Sequence, residues 1–196
     1  MQAPGRRIIG RAAPSLSLAI FGLALVASPA LADKVEDAEA AAAVYDDVTA
    51  LRLFAEALAE PGLKPSVKAA ALHGRGDVYV STQRFTEAVA DFTAALEVVE
   101  DPAQRAGILV SRAESYDALQ KYAEALKDYD ASLALAPKQI GVHTARANVY
   151  QRLGDTKSAL AAFDAELQLH PGFYRALSAR AVILNLPLPR NPTEGR

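Results

Sequence analysis

The sequence predicts an all-α fold, an α-solenoid in which antiparallel helix pairs stack along one axis. The first observation is composition: 51% of the 196 residues are apolar. Ala is the most abundant residue and occurs with many Leu, Glu, Lys and Arg, which all favour helix. The second observation is a set of small and aromatic residues that recurs at intervals of 34 to 37 residues. Such a fixed interval indicates a repeat protein in which each unit buries its apolar face on the next.

Two series of residues define the repeat and run in step along the chain. In the first series a small residue precedes an aromatic one by three positions, in Gly76 and Tyr79, Ala113 and Tyr116, and Ala147 and Tyr150. In the second series Ala precedes an aromatic residue by four positions, in Ala88 and Phe92, Ala125 and Tyr129, and Ala159 and Phe163. Pro137 and Pro171 end two units at the same phase. Spacings of three and four place each pair on one helix face, where the small residue lets two helices approach.

This pattern resembles that of the tetratricopeptide repeat family. The family has a small residue and Tyr on the first helix of each unit, Ala and an aromatic residue on the second, and Pro at the end. The resemblance implies a superhelical array over 46–185. Its parts are a half unit at 46–60, full repeats at 69–105, 106–139 and 140–173, and a terminal helix at 174–185.

Residues 1–32 have the three parts of a secretory signal peptide. Three Arg without an acidic residue precede an apolar run, Leu16–Ala27, and an Ala-Leu-Ala triplet ends at Ala32. The run of about 12 residues is shorter than the ~20 that a transmembrane helix needs. We therefore expect cleavage after Ala32 and a periplasmic or secreted protein, with an uncleaved membrane anchor as the alternative. The Arg pair at positions 6 and 7 leaves both Sec and twin-arginine export open.

Two further segments flank the predicted array. Residues 33–45 are acidic and then Ala-rich, and we expect this lead-in to be partly helical or disordered. Residues 186–196 contain three Pro, which favours a disordered tail.

The composition offers little for catalysis or metal binding. The chain has no Cys, which excludes disulfides, Cys-bound zinc and thiol catalysis. Its net charge of −2 argues against a nucleic-acid partner. Of the three His, His73 and His143 lie about two repeats apart and His170 precedes Pro171 in a turn, so the three are not expected to share a metal ion. The sequence also has no nucleophile-elbow or phosphate-loop motif. We therefore expect no catalytic residue, cofactor or metal, with an enzyme as an alternative.

The family resemblance implies a concave groove that is lined by the first helices of the repeats and accepts an extended peptide or a helix of another protein. Transferred by register, the groove residues are His73, Asp77, Val110, Glu114, Asp117, Thr144, Asn148, Gln151 and Ser178. Three of them are acidic, which favours a basic or polar ligand at that end. Arg152 and Arg175 make the far end more positive.

A ladder of Arg residues recurs beside the small residues, at Arg75, Arg112, Arg146 and Arg180. One interpretation is a cationic stripe that binds an acidic ligand. The other, which we favour, is that each alkyl chain packs beside the small residue while the guanidinium pairs with a carboxylate such as Asp91 or Asp128.

These features together predict a non-enzymatic interaction module that binds a protein or peptide segment in its groove, in the cell envelope. The alternative is an assembly subunit of an envelope complex, which docks through its convex face or its ends. The incomplete last unit leaves an exposed helix flank, so self-association is a further expectation. The sequence does not identify the partner.

Overall fold

A computed structural model describes residues 29–189, which form nine α-helices and no strand. The helices are α1 (Pro29–Ala43), α2 (Asp47–Ala59), α3 (Pro65–Ser81), α4 (Phe85–Val98), α5 (Pro102–Ala118), α6 (Tyr122–Leu135), α7 (Val142–Arg152), α8 (Thr156–Leu169) and α9 (Tyr174–Ile183). None of these helices has both the length and the apolar character that crossing a membrane requires. The predicted all-α fold is confirmed for the described residues.

The helices pack as consecutive pairs that stack on one another. The most extensive contacts are those of α1 with α2, α3 with α4, α5 with α6, and α7 with α8, and each pair then contacts the next through α2–α3, α4–α5 and α6–α7. Helix α9 packs on α8. The buried residues accordingly form four apolar clusters in series along the chain. Each unit therefore depends on its neighbours for burial, as the repeat pattern predicts.

An aromatic ring from each even-numbered helix forms the centre of each cluster. The four rings, none more than 1% exposed, belong to Phe54, Phe92, Tyr129 and Phe163. A small residue on the preceding helix stands over three of them: Gly76 over Phe92, Ala113 in the cluster of Tyr129, and Ala147 in that of Phe163. Tyr116 and Tyr150, the aromatic partners of these two Ala, are partly buried at equivalent places beside their clusters.

Each odd-numbered helix ends in the same left-handed turn. The residue two positions after the helix has a φ between 52° and 76°, at Tyr45, Gln83, Gln120, Gly154 and Asn185. The next amide then donates to a carbonyl near the helix end, as Lys121 N does to Tyr116 O at 2.8 Å and Asp155 N to Tyr150 O at 2.9 Å. The repeated Tyr therefore supply both a side chain for packing and a carbonyl that closes the turn.

The N-terminal part of the array is more complete than the sequence predicted. Helix α1 covers most of the lead-in 33–45 and packs on α2, so the segment 46–60 is the second helix of a pair and not a half unit. Val35 and Ala38 of α1 are buried in the same cluster as Phe54. Ala-rich sequence has high helix propensity but lacks the aromatic marker of the other units, which is why the pattern did not reveal this helix.

The remaining boundaries differ by a few residues from those predicted. Helices α3 and α5 begin at Pro65 and Pro102, four residues before the predicted repeat starts, because Pro suits the first turn of a helix. Asp101 caps α5 by accepting a hydrogen bond from Gln104 N at 2.8 Å. Residues 186–189 have no regular secondary structure. The predicted signal peptide up to residue 28, and the tail from residue 190, lie outside the described residues.

Gly76 and Gly107 both lie within helices, and replacing each by Ala should have opposite effects. A Cβ atom on Gly76 would lie 2.5 Å from the ring of Phe92, so Ala should lower the free energy of unfolding by about 1–3 kcal/mol through overpacking. A Cβ atom on Gly107 would meet nothing within 4 Å, so Ala should raise it by about 0.5–1 kcal/mol, because it restricts the unfolded chain. Chemical denaturation of both variants measures the difference. A Gly76→Ala variant as stable as the parent would contradict the close helix approach.

Candidate binding groove

The odd-numbered helices lie closer to one another than the even-numbered helices do. Helix α1 contacts α3, α3 contacts α5 and α5 contacts α7, whereas no contact of that extent joins two even-numbered helices in the described array. The array therefore curves towards its odd-numbered helices. We call the concave surface of α1, α3, α5 and α7 the groove. Two cavities open onto it.

The first cavity lies between α1, α3 and the start of α5 and has a volume of about 560 Å³. Its walls are mostly small or apolar: Ala42, Ala43, Ala69, Ala70, Gly74, Val78, Gly107 and Ile108. Phe54 of α2 also lines it, and its ring would lie 2.6 Å from a Cβ atom on Gly74. The absence of side chains at Gly74 and Gly107 therefore creates the space, and acidic residues stand at its edge: Glu39, Asp47 and Asp77.

The second cavity lies between α5, α7 and the start of α9 and has a volume of about 410 Å³. Its polar lining residues are Glu114, Asp117, Tyr129, Thr144, Asn148, Arg152 and Arg175. Thr144 is 6% exposed, and its hydroxyl has no hydrogen-bond partner among the described residues. This cavity therefore offers charged and hydrogen-bonding groups where the first offers apolar surface.

Four carboxylates at the two cavities form no ion pair with Lys or Arg among the described residues. Glu39, Asp47 and Asp77 line the first cavity, and Glu114 lines the second. Loss of surrounding water in the groove raises the pKa of Asp77, although its side chain is 56% exposed and His73, 3.8 Å away, opposes the shift. Desolvation also raises the pKa of Glu114, and the nearby charges of Asp77 and Asp117 add to the effect while Arg175 opposes it. The groove therefore disfavours these negative charges when it is empty.

A further groove carboxylate is neutralised within the array. Asp117 on α5 accepts a hydrogen bond from Arg152 on α7 at 2.5 Å, between residues 35 positions apart. Its other oxygen is buried and has no hydrogen-bond partner within the part of the chain that the structure describes. Burial raises the pKa of the nearby Tyr129 phenol, and the charges of Glu114 and Asp117 contribute. Tyr129 therefore stays protonated and can donate a hydrogen bond into the second cavity.

The structure distributes the predicted groove residues between the two cavities. His73 and Asp77 line the first, and the second is lined by Val110, Glu114, Asp117, Thr144 and Asn148. Nε2 of His73 also lies 3.4 Å from the hydroxyl of Ser111. Gln151 and Ser178 line neither cavity. Gln151 is exposed near the end of α7, and the Ser178 hydroxyl donates to the Tyr174 carbonyl at 2.8 Å.

Some groove residues were not predicted from the sequence. Glu39, Ala42 and Ala43 belong to α1, the helix that the pattern did not reveal. Tyr129 was assigned a packing role only, yet it also lines the second cavity. The sequence contains a signal for this second role of Tyr129, because the equivalent residues of the other three helix pairs are Phe54, Phe92 and Phe163. A hydroxyl at one ring among four suggests a polar function at that place.

A buried carboxylate holds the turn that forms one wall of the second cavity. Glu166 of α8 is 0% exposed and accepts a hydrogen bond from the backbone N–H of Gly141 at 2.9 Å. Gly141 is the N-cap of α7 and has a φ of 85°. The negative charge at the start of α7 is favourable. Within residues 29–189, no set of three His, Asp or Glu side chains is placed to hold a metal ion.

The Arg ladder pairs with carboxylates of the even-numbered helices in two different ways. Arg75 and Arg112 each make two hydrogen bonds of 2.6–2.8 Å to an Asp of their own unit, Asp91 and Asp128 respectively. Arg146 and Arg180 instead pair with an Asp of the preceding unit. Their partners are Asp130, at 2.5 Å, and Asp164, at 2.6 Å. The ladder therefore serves packing within and between units, in agreement with the favoured interpretation.

Two Asp residues of this ladder differ in burial, and their Asn variants should differ in stability. Asp128 is 4% exposed and pairs with the mostly buried Arg112, so Asp128→Asn leaves a buried cation unpaired and should cost about 3 kcal/mol. Asp164 is 49% exposed, so Asp164→Asn should cost less than about 1 kcal/mol. Equilibrium unfolding measures both values. Equal, small losses would mean that the Arg112 pair does not stabilise the fold and would revive the ligand-binding interpretation.

Comparisons with known proteins agree with this architecture. A tetratricopeptide repeat model matches residues 69–101 and 106–139, which start where two of the predicted repeats start. No curated protein sequence matches the chain.

Solved structures of similar fold cover most of the chain. A tetratricopeptide repeat protein from Parabacteroides merdae has a TM-score of 0.70 and 23% identity, over 80% of this chain and 59% of that one. YrrB, described as a repeat protein of this kind with an unusual peptide-binding site, has a TM-score of 0.62 and 20% identity, over 78% and 75%. The first repeat domain of Spaghetti (RPAP3), bound to an HSP90 peptide, has a TM-score of 0.55 and 24% identity, over 60% and 91%.

At these identities the likeness is one of fold. Together with the observed stacking of helix pairs, it shows an all-α solenoid in which residues 69–101 and 106–139 match the tetratricopeptide repeat model.

Proposed function

We propose that the protein is a non-enzymatic interaction module that binds a peptide or an extended segment of another protein in its groove. The observation that carries this proposal is the presence of two open cavities along the odd-numbered helices, of about 560 and 410 Å³. Two of the proteins with similar fold are described as binding peptides, which supports the proposal for this fold without transferring their ligands.

The dimensions of the groove suit a short segment. Packed helices lie about 10 Å apart, so four odd-numbered helices span about 30 Å, which an extended segment of about nine residues covers. The groove side chains belong to rigid helices, so little ordering is needed on binding, which favours affinity. Their charged groups form ion pairs or stand open to solvent, an arrangement suited to recognition.

The proposed location is the cell envelope. The basic start, short apolar run and Ala-Leu-Ala triplet of residues 1–32 support export with cleavage after Ala32. N-terminal sequencing of the protein purified from its native host should then begin at Asp33. A protein that retains residue 1 and sediments with membranes would favour the uncleaved anchor.

The alternative function, docking of the array through its ends, has an observation in its favour. Three large apolar side chains are 73–87% exposed at the turn from α1 to α2, namely Val44, Tyr45 and Val48. At the other end, four more are 40–66% exposed: Val182, Leu184, Leu186 and Leu188. Exposed apolar groups at both ends could be covered by other subunits or by a second copy.

Site-specific photo-crosslinking distinguishes groove binding from docking elsewhere. A photoreactive amino acid replaces Asn148 in the second cavity, Lys127 on the exposed side of α6, or Val48 at the N-terminal end, one at a time. We expect a crosslinked partner in host cells only from the Asn148 position. Crosslinks from Lys127 or Val48 alone would contradict groove binding and support the docking alternative.

A further inference from the structure

The first cavity requires an apolar side chain from its ligand. Much of its wall is Ala and Gly with Phe54, Val78 and Ile108, while Glu39, Asp47, His73 and Asp77 also line it. None of the buried polar atoms left without a hydrogen-bond partner among the described residues belongs to this lining. A bulky aliphatic or aromatic side chain would replace water there and gain about 25 cal/mol for each Å² of apolar surface buried. The cavity volume of about 560 Å³ is large enough for such a group.

The surface between the two cavities requires a cation. Asp77 lines the first cavity and Glu114 the second, and neither forms an ion pair with Lys or Arg in the described array. Asp77 on α3 and Glu114 on α5 belong to helices that contact each other, and the charge of Asp77 contributes to the raised pKa of Glu114, which Arg175 partly offsets. A cation placed between the two carboxylates would relieve their repulsion and attract both.

A second, independent observation points to a ligand in this region. Thr144, 94% buried in the wall of the second cavity, has a hydroxyl with no hydrogen-bond partner among the described residues. Buried polar groups normally find partners. A backbone group of a ligand that passes from the first cavity into the second would provide one, while Arg152 already neutralises Asp117 and leaves Asp77 and Glu114 for the ligand.

From these three observations, and resting on the proposed function, we infer the class of ligand. The groove binds a segment in which a bulky apolar side chain enters the first cavity and a neighbouring Lys or Arg contacts Asp77 and Glu114. The ligand is therefore an apolar and basic peptide segment of a partner protein, and an acidic segment is excluded from this part of the groove by charge repulsion.

A set of synthetic peptides tests this inference directly. Each fluorescent peptide has about nine residues, to match the groove, with one Phe and one Lys at separations from one to four positions in a Gly-Ser background. Matched peptides carry Glu in place of Lys or Ala in place of Phe. By fluorescence anisotropy we expect the best Phe–Lys peptide to bind at least about tenfold more tightly than either matched peptide, with affinity falling as salt increases.

Three variants of the full chain connect the preference to the named residues. Asp77→Asn with Glu114→Gln should weaken binding of the Lys peptide about tenfold and reduce its salt dependence. Glu97→Gln with Glu124→Gln makes the same charge change on exposed even-numbered helices and should leave binding unchanged. Gly107→Leu fills the first cavity from a position whose Cβ meets no other atom, so it should remove the advantage of Phe while the thermal melting temperature is not lowered.

The outcomes separate this inference from the function on which it rests. Equal or tighter binding of the Glu peptides, or no preference for Lys at any separation, overturns the inference even where crosslinking from Asn148 shows that the groove is used. A Lys preference that survives Asp77→Asn with Glu114→Gln also overturns it. Failure of crosslinking from Asn148, in contrast, overturns the proposed function itself.

Discussion

The close contact between a small residue on one helix and an aromatic ring on the next is the constraint on which the structure depends. Gly76 lies so near Phe92 that even a methyl group would overlap the ring, and Ala113 and Ala147 are fully buried in the clusters of the other rings. This contact fixes the separation of the helices within a pair. The odd-numbered helices α1, α3, α5 and α7 of successive pairs also contact one another and form the concave surface.

Much of the fold could be predicted because packing acts through few residues with a fixed spacing. The small and aromatic residues of both series reveal three units, since a helix pair must return to the same contact in each. The same register places Glu114, Asp117 and Asn148 on one surface, where the structure shows the second cavity. The sequence also predicts that the Arg ladder pairs with carboxylates, because Arg on the first helix and Asp on the second helix recur at the same interval.

Other features could not be predicted, since they depend on contacts that carry no periodic signal. Helix α1 packs through Val35 and Ala38. These residues lie in an Ala-rich segment without the aromatic residue that marks the other units. The left-handed turns occur at Tyr45, Gln83 and Gln120, residues that do not favour such a backbone, and the hydrogen bonds that close each helix end hold the conformation. The first cavity arises from missing side chains at Gly74 and Gly107 in different helices, and only the three-dimensional arrangement brings these gaps together.

The change of partner along the Arg ladder restricts the order in which the repeats can follow one another. In the pair α7–α8 the position that would pair with Arg146 holds Ala162, so the guanidinium relies on Asp130 of the preceding pair, α5–α6. The pair α3–α4 has Thr93 at the place of Asp130. Joining α7–α8 directly to α3–α4 would therefore leave Arg146 without an acidic partner. The pair α5–α6 therefore links two pairing schemes, and an array shortened by removing it would lose this ion pair.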